Sequence, residues 1–461
     1  MKVAIIGGGI TGLAAAHFLE KIKKTSQYTI SYDLFESSAK LGGKISTDYT
    51  DGFVIERGPD SFLARKESAA RLAKEVGLED QLLSNSAGQA YVLKGKKLYP
   101  IPSGAIMGIP TEWTPFLKTG LFSSAGKLRA AADLVLPKNK IDGDQSLGKF
   151  FRRRLGNEVV DNLIEPLLSG IYAGDINNLS LQSTFPQFKE VEQRHRSLIV
   201  GMKAGREPQK KTNKKPSMFL SLKGGLQTFV NALEQNLDSN SVHKNTTVKR
   251  IERIDNRYAV TFYNGNEELY DKVISSVPPN IAGGMLENKE VQRKLQTFSA
   301  TTVATAALAF EKDQVKNKKH GTGFVVSKKS GFTITACTFT HLKWKHTAPA
   351  DKALLRCYVG KPDGEDIVYK SDEEISRTVM KDLSNVIEIK GDPLFSRITR
   401  WEQSMPQYEV GHKEKIADIR ACIERIYPGL ILTGAAFHGV GLPDCIDQGE
   451  AAAHQALDLE E

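Results

Sequence analysis

A glycine-rich turn near the amino terminus is the first pattern that could do chemistry. Gly7-Gly8-Gly9-Ile10-Thr11-Gly12 follows the β-branched run Lys2–Ile6, and apolar residues at helical spacing come next. Gly7 permits a tight turn, Gly9 lets a pyrophosphate approach the backbone, and Gly12 lets helix and strand pack closely. The N-terminus of a helix presents N–H groups and a positive dipole end to phosphate, so this pattern predicts a dinucleotide site.

A carboxylate follows this turn at the position expected for a ribose contact. The second predicted strand, Tyr28–Phe35, ends in Glu36, near the usual spacing of about 20 residues after the last glycine. An acid here also argues against a 2′-phosphate, which would want an arginine. The alternative is a glycine-rich turn with an incidental surface glutamate.

Two further features favour FAD over NAD. Leu430–Gly434 is typical of a strand ending in glycine, and Gly439–Leu442 leads from it into a helical run that starts at Asp444. If this helix meets the flavin, its dipole can stabilise negative charge on the reduced ring. No second GxGxxG follows a strand, so we expect the electrons to come from the substrate rather than from NAD(P)H. Taken alone, Leu430–Gly434 could equally be any strand and turn.

Composition sets limits on the class of protein. The chain has 461 residues, of which 40% are apolar and 25% charged, which indicates a globular protein of two or three domains. No apolar run of about 18 residues is present, so we expect a cytoplasmic location and leave peripheral membrane contact open. The four cysteines form no CxxC pair, which argues against a disulfide framework or a metal site.

The net charge of +9 favours an anionic partner. The basic stretch from Lys203 to Lys215 is predicted to be a mobile surface loop. No aromatic residues alternate with its charges, so we expect no nucleic-acid partner.

Several motifs resemble known flavoproteins. Gly42-Gly43-Lys44, shortly after the acid, resembles the amine-oxidase-like superfamily. Within it the chain is similar to the porphyrinogen oxidases of haem synthesis, above all those of Gram-positive bacteria, through Glu56–Phe62, Glu165–Asp175, Arg400-Trp401, Met405–Tyr408 and Gly439–Ile446. This resemblance implies non-covalent FAD and the six-electron oxidation of coproporphyrinogen III, with protoporphyrinogen IX also accepted. It further implies molecular oxygen as the acceptor, and contact with a later haem-pathway enzyme stays open.

The motifs and the resemblance together nominate site residues. The predicted FAD contacts are Gly7, Gly8, Gly9, Ile10, Thr11, Gly12, Leu13, Glu36, Ser37, Gly43, Lys44, Gly58, Pro59, Asp60, Ser61, Val248, Trp401, Gly434, Val440, Gly441 and Leu442. Arg65 and Lys66 are predicted to contact propionates, and Ile171, Tyr172 and Gly174 to wall the cavity. The alternative for the wall is a helix-ending turn at Ser169-Gly170. We nominate no general base, because His195, His243, His412 and His438 lack catalytic partners nearby in sequence.

These inferences predict an α/β fold in three parts. A Rossmann-like FAD-binding domain with the GxGxxG turn is assembled from 1–80, 219–285 and 395–461. A helical insert, 81–218, carries helical periodicity from Leu147 to Leu168 and faces a membrane or a partner. Its arginine triplet 152–154 is expected on a solvated helix face. A mixed-sheet substrate domain spans 286–394.

Two rival functions are kept. One is an FAD-dependent amine oxidase or polyene desaturase of the same fold. The other is a flavin- or haem-binding carrier that does no chemistry.

Overall fold

The computed structural model describes residues 1–25, 29–86, 88–139, 143–205, 218–316, 321–362 and 364–459. Its strands are, in chain order, β1 Lys2–Ile6, β2 Ser31–Phe35, β3 Thr47–Thr50, β4 Phe53–Glu56, β5 Phe62–Leu63, β6 Leu82–Ser84, β7 Gln89–Lys94, β8 Lys97–Pro100, β9 Ala105–Ile106, β10 Ile109–Pro110, β11 Phe219–Leu222, β12 Val242–His243, β13 Val248–Ile254, β14 Arg257–Phe262, β15 Glu267–Tyr270, β16 Lys272–Ser275, β17 Ala300–Glu311, β18 Val315–Lys316, β19 Gly321–Val326, β20 Ile334–Phe339, β21 Lys352–Val359, β22 Glu388–Ile389, β23 Phe395–Pro406 and β24 Leu430–Leu432.

The helices lie on both sides of these sheets and between them. They are α1 Ile10–Thr25, α2 Glu67–Glu75, α3 Trp113–Lys118, α4 Ser124–Ala131, α5 Leu147–Leu155, α6 Asn157–Val159, α7 Glu165–Tyr172, α8 Leu181–Thr184, α9 Gln187–His195, α10 Leu198–Ala204, α11 Gln227–Gln235, α12 Pro279–Met285, α13 Lys289–Gln296, α14 Thr340–Lys343, α15 Asp372–Ser384, α16 His412–Ile426 and α17 Leu442–Ala456. In the part of the chain that the structure describes, no helix is both long and apolar enough to cross a bilayer.

A five-stranded parallel sheet in the order β12-β2-β1-β16-β24 forms the centre of the dinucleotide domain. Its middle strand, β1, is almost entirely buried, as expected for a parallel strand covered on both faces. Helices α1, α11 and α17 cover one face, and the β13-β14-β15 sheet with α12, α13 and α16 covers the other.

The two ends of the chain meet in this sheet. β24 pairs with β16, which pairs with β1, so strands from the last, middle and first thirds of the chain lie side by side. The prediction that the carboxy-terminal strand joins the amino-terminal turn is confirmed. The second strand begins at Ser31, later than the predicted Tyr28, and residues 26–28 lie outside the described residues.

A seven-stranded mixed sheet in the order β23-β17-β21-β20-β19-β7-β8 forms the second large layer. Its pairs are antiparallel except β19 with β7. With the parallel sheet, it confirms the predicted fold class. The strands of 89–100 and 395–406 belong to this sheet, although we had grouped them with other parts of the chain, and the domain boundaries themselves stay a prediction.

The helical region does not run continuously from Leu147 to Leu168. α5 ends at Leu155, and its C-cap is Gly156, whose φ of 83° suits glycine. A π-helical turn at Val160–Ile164 then precedes α7, and such turns are frequent beside functional sites. The predicted loop from Lys203 to Lys215 lies, from residue 206 onward, outside the described residues.

The expectation of a solvated arginine triplet is wrong for Arg154. Its side chain is 0% exposed and donates to Asp133 at 2.5 Å, with Glu192 3.4 Å away. Both carboxylates are as deeply buried as the guanidinium. Arg154 also donates to the Asp133 and Arg196 carbonyls. A charge removed from water needs such partners, and sequence periodicity could not show that α5 turns this residue inward.

We predict that Arg154→Met destabilises the protein by about 3–5 kcal/mol, because two buried carboxylates lose their counter-charge. Urea unfolding followed by circular dichroism measures this change in the free energy of unfolding. The control is Lys244→Met, which removes an exposed ion pair with Glu234 and should cost less than about 1 kcal/mol. Equal decreases in the free energy of unfolding in both variants would contradict a stabilising role for the ion pairs of Arg154 with Asp133 and Glu192.

Candidate functional site

The glycine turn after β1 leaves room at the N-terminus of α1. A Cβ on Gly12 would lie 1.9 Å from the Gly7 carbonyl oxygen, so only glycine lets α1 begin this close to the strand. In contrast, a Cβ on Gly9 would meet no atom of the described chain within 4 Å. This open space adjoins the first turn of α1, which carries Ile10, Thr11 and Leu13. Because the first N–H groups of a helix lack intrahelical acceptors, the space suits a phosphate.

Glu36 lies beside this turn, as its spacing predicted. One carboxylate oxygen accepts from the Gly8 N–H at 2.8 Å, and the other accepts from the Ser38 N–H at 2.8 Å. The Ser37 hydroxyl is 3.3 Å from the second oxygen. The carboxylate is therefore held in place at the end of β2, next to the proposed phosphate position.

The segment from His243 to Val248 runs along the same edge. The Glu36 N–H donates to the His243 carbonyl at 2.9 Å, and the Thr246 N–H donates to the Glu36 carbonyl at 2.8 Å. Val248 follows at the start of β13, where its side chain is 4% exposed and packs in the core. The structure thus brings Val248 near Glu36 but turns its side chain inward.

The second glycine pair lies against the first. The Gly42 N–H donates to the Gly8 carbonyl at 2.8 Å. A Cβ on Gly43, whose φ is 57°, would lie 3.2 Å from the Gly9 Cα. This close approach explains the need for glycine and places Lys44 at the rim of the open space.

Lys44, Gly58 and Trp401 come together from three distant parts of the chain. A Cβ on Gly58 would lie 1.8 Å from the Lys44 carbonyl oxygen, and the Trp401 indole N–H donates to the Arg57 carbonyl at 3.0 Å. The Lys44 ammonium donates to the Ser404 carbonyl. Lys44 is accessible to solvent, but protein surrounds its ammonium and this desolvation lowers its pKa. Lys44 therefore combines a solvent-accessible side chain with an ammonium that is held at the Ser404 carbonyl.

Asp60 anchors the loop that carries Gly58, Pro59 and Ser61. Its carboxylate accepts from the Lys343 ammonium at 2.9 Å and from the Ser61 hydroxyl at 2.6 Å. Burial alone would raise the pKa of Asp60, but the charges of Lys343 and Arg356 outweigh it and hold that pKa well below its ordinary value. The side chain predicted to contact FAD is thus bound to the seven-stranded layer. Nothing in the sequence pointed to Lys343 or Arg356, because neither belongs to a motif.

The first turns of α1 and α17 meet. The thiol of Cys445 contacts the Thr11 hydroxyl, and a Cβ on Gly434 would lie 3.8 Å from the same oxygen. Gly441 is the N-cap of α17, and Leu442 is its first residue. The N-terminal turns of α1 and α17 therefore lie together beside the open space at Gly9. This region, bordered by Gly9, Thr11 and Gly441, is called the groove below.

Cys445 is poorly suited to covalent attachment. It is 5% exposed, and burial raises the pKa of its thiol to about 11. Since the thiolate is the nucleophile, this thiol is unreactive near neutral pH.

The predicted cavity wall lies at the end of α7. Tyr172 is 6% exposed, and Gln407 donates to its carbonyl at 2.8 Å. A Cβ on Gly174 would lie 2.2 Å from the Gln407 side-chain oxygen, so a larger residue would displace that amide. Ile171 is 45% exposed. α7 passes through Ser169-Gly170 and ends at Tyr172, so the helix ends two residues after the predicted C-cap signal, and the helix-ending turn stays an alternative to the wall.

Lys66 lies near this wall, but it is already paired. Its ammonium forms an ion pair with Asp444 in the first turn of α17. Burial, and then the charge of Asp444, raise the pKa of Tyr172, which places the wall beside the same carboxylate. Arg65 is exposed. The sequence motif around Asp444 had been recognised, but its pairing with Lys66 had not.

Val440 joins the wall to the carboxy-terminal turn. It packs against the apolar cluster that contains Tyr172 and Tyr408. The rings of these two tyrosines are 5.4 Å apart, and the Tyr408 hydroxyl accepts from the Gly439 N–H at 2.6 Å. We had noted the segment Met405–Tyr408 as a motif but had assigned it no role.

Comparisons with known proteins agree over nearly the whole chain. Residues 10–457 match the family described as flavin containing amine oxidoreductase. A coproporphyrinogen III oxidase of Bacillus subtilis (strain 168) is 52% identical, with 99% of this chain and 97% of that protein covered. A coproporphyrinogen III oxidase of Staphylococcus aureus (strain NCTC 8325 / PS 47) is 45% identical, with 99% of each covered.

Solved structures show the same architecture. A crystal structure from Exiguobacterium sp. 255-15 has a TM-score of 0.89 and 36% identity over 99% of both chains. The chain therefore belongs to the flavin containing amine oxidoreductase family and, within it, to the family of the coproporphyrinogen III oxidases.

Proposed function

We propose that this chain binds FAD non-covalently and oxidises coproporphyrinogen III to coproporphyrin III in haem biosynthesis, and that it also accepts protoporphyrinogen IX. The observation that carries the proposal is 52% identity to a coproporphyrinogen III oxidase over nearly the full length of both chains. The geometry supports it, because the first turns of α1 and α17 meet at Thr11 and Cys445 and Glu36 accepts from the Gly8 N–H of the same glycine turn.

The residues present fit FAD. The open space at Gly9 and the first turn of α1 would take the pyrophosphate, and Glu36 would accept from the ribose hydroxyls. The first turn of α17 would place its positive dipole end near the ring. Bound there, FAD supplies the two-electron oxidation chemistry. Because Cys445 is buried and protonated, we expect its attachment to be non-covalent.

The substrate side of the groove suits a flat, anionic macrocycle. Tyr172 offers an apolar ring, and the small Gly174 lets a ligand approach closely. Lys66 and Arg65 would contact propionates, Lys66 by exchanging its partner Asp444 for a substrate carboxylate. The net charge of +9 favours four propionates over two.

The reaction needs little acid–base help from the protein. Six electrons leave the porphyrinogen as three hydrides from meso carbons, and an N–H proton is lost with each. Tautomerisation moves one further hydrogen from a meso carbon to a nitrogen, so that overall four hydrogens leave carbon and two leave nitrogen. Molecular oxygen is the proposed acceptor, and each pair of electrons yields one hydrogen peroxide. Because the product gains an aromatic macrocycle, the chain has chiefly to orient the substrate and exclude water. Membrane and haem-enzyme contacts stay predictions.

We expect the purified holoenzyme to convert coproporphyrinogen III faster than protoporphyrinogen IX under air, with stoichiometric peroxide. Porphyrin fluorescence and a peroxide assay, run in parallel, measure this. An amine and a polyene serve as control substrates for the rival functions. If FAD remains bound but neither porphyrinogen reacts, the proposal is wrong.

We expect Glu36→Ala to weaken FAD binding by about 10–100-fold, because hydrogen bonds to a charged group contribute about 1.5–3 kcal/mol. Titration of the apoprotein with FAD measures the Kd, and circular dichroism checks the fold. Glu234→Gln, on the surface of the same domain, is the control. An unchanged Kd in Glu36→Ala would contradict the assigned ribose position.

We expect Lys66→Met to raise KM for coproporphyrinogen III more than for protoporphyrinogen IX, because it removes a cation proposed to contact propionates, of which the first substrate carries four and the second only two. Steady-state kinetics with both substrates measure the ratio. The control is Lys74→Met, which removes an exposed ion pair between Lys74 of α2 and Glu79. It should leave KM for both substrates unchanged. An equal rise for both substrates would argue against a propionate contact.

A further inference from the structure

Tyr408 links the substrate wall to the turn that begins α17. It follows β23 and is 1% exposed. Its hydroxyl donates to the Ala435 carbonyl at 2.8 Å and accepts from the Gly439 N–H at 2.6 Å. One oxygen thus bridges both ends of the 435–439 loop, which connects β24 to α17.

The Tyr408 ring packs against two other rings. It stacks on His412 with ring centroids 4.1 Å apart and an interplanar angle of 14°. The Tyr172 ring is a second neighbour, with centroids 5.4 Å apart and an interplanar angle of 48°. His412 itself is 3.2 Å from the Phe437 carbonyl, in the middle of the same loop. The ring cannot move without disturbing either the wall or the loop.

The backbone around Tyr408 strengthens this link. The Ser180 N–H donates to the Tyr408 carbonyl at 2.7 Å, and the Val410 N–H donates to the Asn178 carbonyl at 3.0 Å. The segment that follows Gly174 therefore runs beside the segment that carries Tyr408. Movement at the end of α7 would be transmitted to the Tyr408 hydroxyl.

The hydroxyl must act as donor and acceptor together. Burial raises the pKa of Tyr408 above its ordinary value, so the phenol keeps its proton near neutral pH. Gly439 has a φ of 117°, which side chains rarely adopt. Its carbonyl is held by the Gln448 side-chain amide at 3.3 Å. Tyr408 and Gln448 therefore bind the N–H and the carbonyl of a glycine whose conformation other residues rarely adopt.

We propose that Tyr408 is a positioning residue for the oxidation, because its hydroxyl sets the Gly439 turn relative to the Tyr172 wall. The inference rests on the proposed function for its kinetic consequence. Loss of the hydroxyl should also shift the turn at the start of α17, and this structural effect does not depend on the substrate. Small misplacements of reacting groups cost one to two orders of magnitude in rate. Removal of the Tyr408 hydroxyl can therefore lower the rate even though Tyr408 does not contact the reacting atoms.

The test is Tyr408→Phe, which removes the hydroxyl and keeps the ring. The matched control is Tyr258→Phe, since Tyr258 is also 1% exposed and donates to a carbonyl, that of Pro428 at 2.9 Å, away from the groove. The melting temperature should fall by a similar amount in both variants. Only Tyr408→Phe should lower kcat by about tenfold, with KM changed less than kcat, and alter the visible absorbance and circular dichroism of bound FAD.

The flavin spectrum separates this inference from the proposed function. If no porphyrinogen reacts with the wild-type protein, the function is wrong, but an altered spectrum in Tyr408→Phe alone would still support the positioning role. If Tyr408→Phe does not fold, Gln448→Leu replaces it, because it removes the second hold on Gly439 and should give the same spectral change. Unchanged kcat and flavin spectra, with stability losses equal to the control, would overturn the inference.

Discussion

The close packing of α1 between β1 and α17 is the constraint on which the rest of the structure depends. A Cβ on Gly12 would meet the Gly7 carbonyl oxygen at 1.9 Å, and one on Gly449 would meet the Thr11 carbonyl oxygen at 2.4 Å. No side chain fits at either point. These two glycines let the first helix pack on the strand it follows and let the last helix pack on the first. The groove exists because both approaches occur at the same turn of α1.

Partly buried ion pairs then connect the loops around the groove. Asp60 connects the Gly58–Ser61 loop to Lys343 of α14 and to Arg356 of β21. Lys66 connects the residues that follow this loop to Asp444 of α17. Desolvation offsets much of the attraction in such pairs, so their contribution lies more in specifying geometry than in stability. Each pair joins segments that are far apart in the chain, and together they connect the proposed cofactor and substrate sides of the groove.

The fold alone does not decide the chemistry. A putrescine oxidase structure matches 99% of this chain with a TM-score of 0.73 but only 15% identity, and at that level the likeness concerns the fold. The features of this chain that bear on its proposed chemistry are local. Here the thiol at Cys445 is buried and protonated, the wall is built from Tyr172 and Gly174, and the turn before α17 is held by Tyr408. The identity of 52% to a coproporphyrinogen III oxidase, rather than the sheets, carries the proposed chemistry.

The sequence by itself determined the parallel sheet, the glycine turn, Glu36 and the meeting of the chain ends, because these depend on local periodicity and on glycines at short fixed spacings. It also identified the motifs at Gly42-Gly43-Lys44 and Gly439–Leu442. Only the tertiary structure decided that Arg154 points inward, that Lys66 is paired with Asp444, and that Tyr408 bridges Ala435 and Gly439. Each of these contacts joins residues that no short-range pattern relates, and burial and hydrogen-bond partners are set only when the layers pack together.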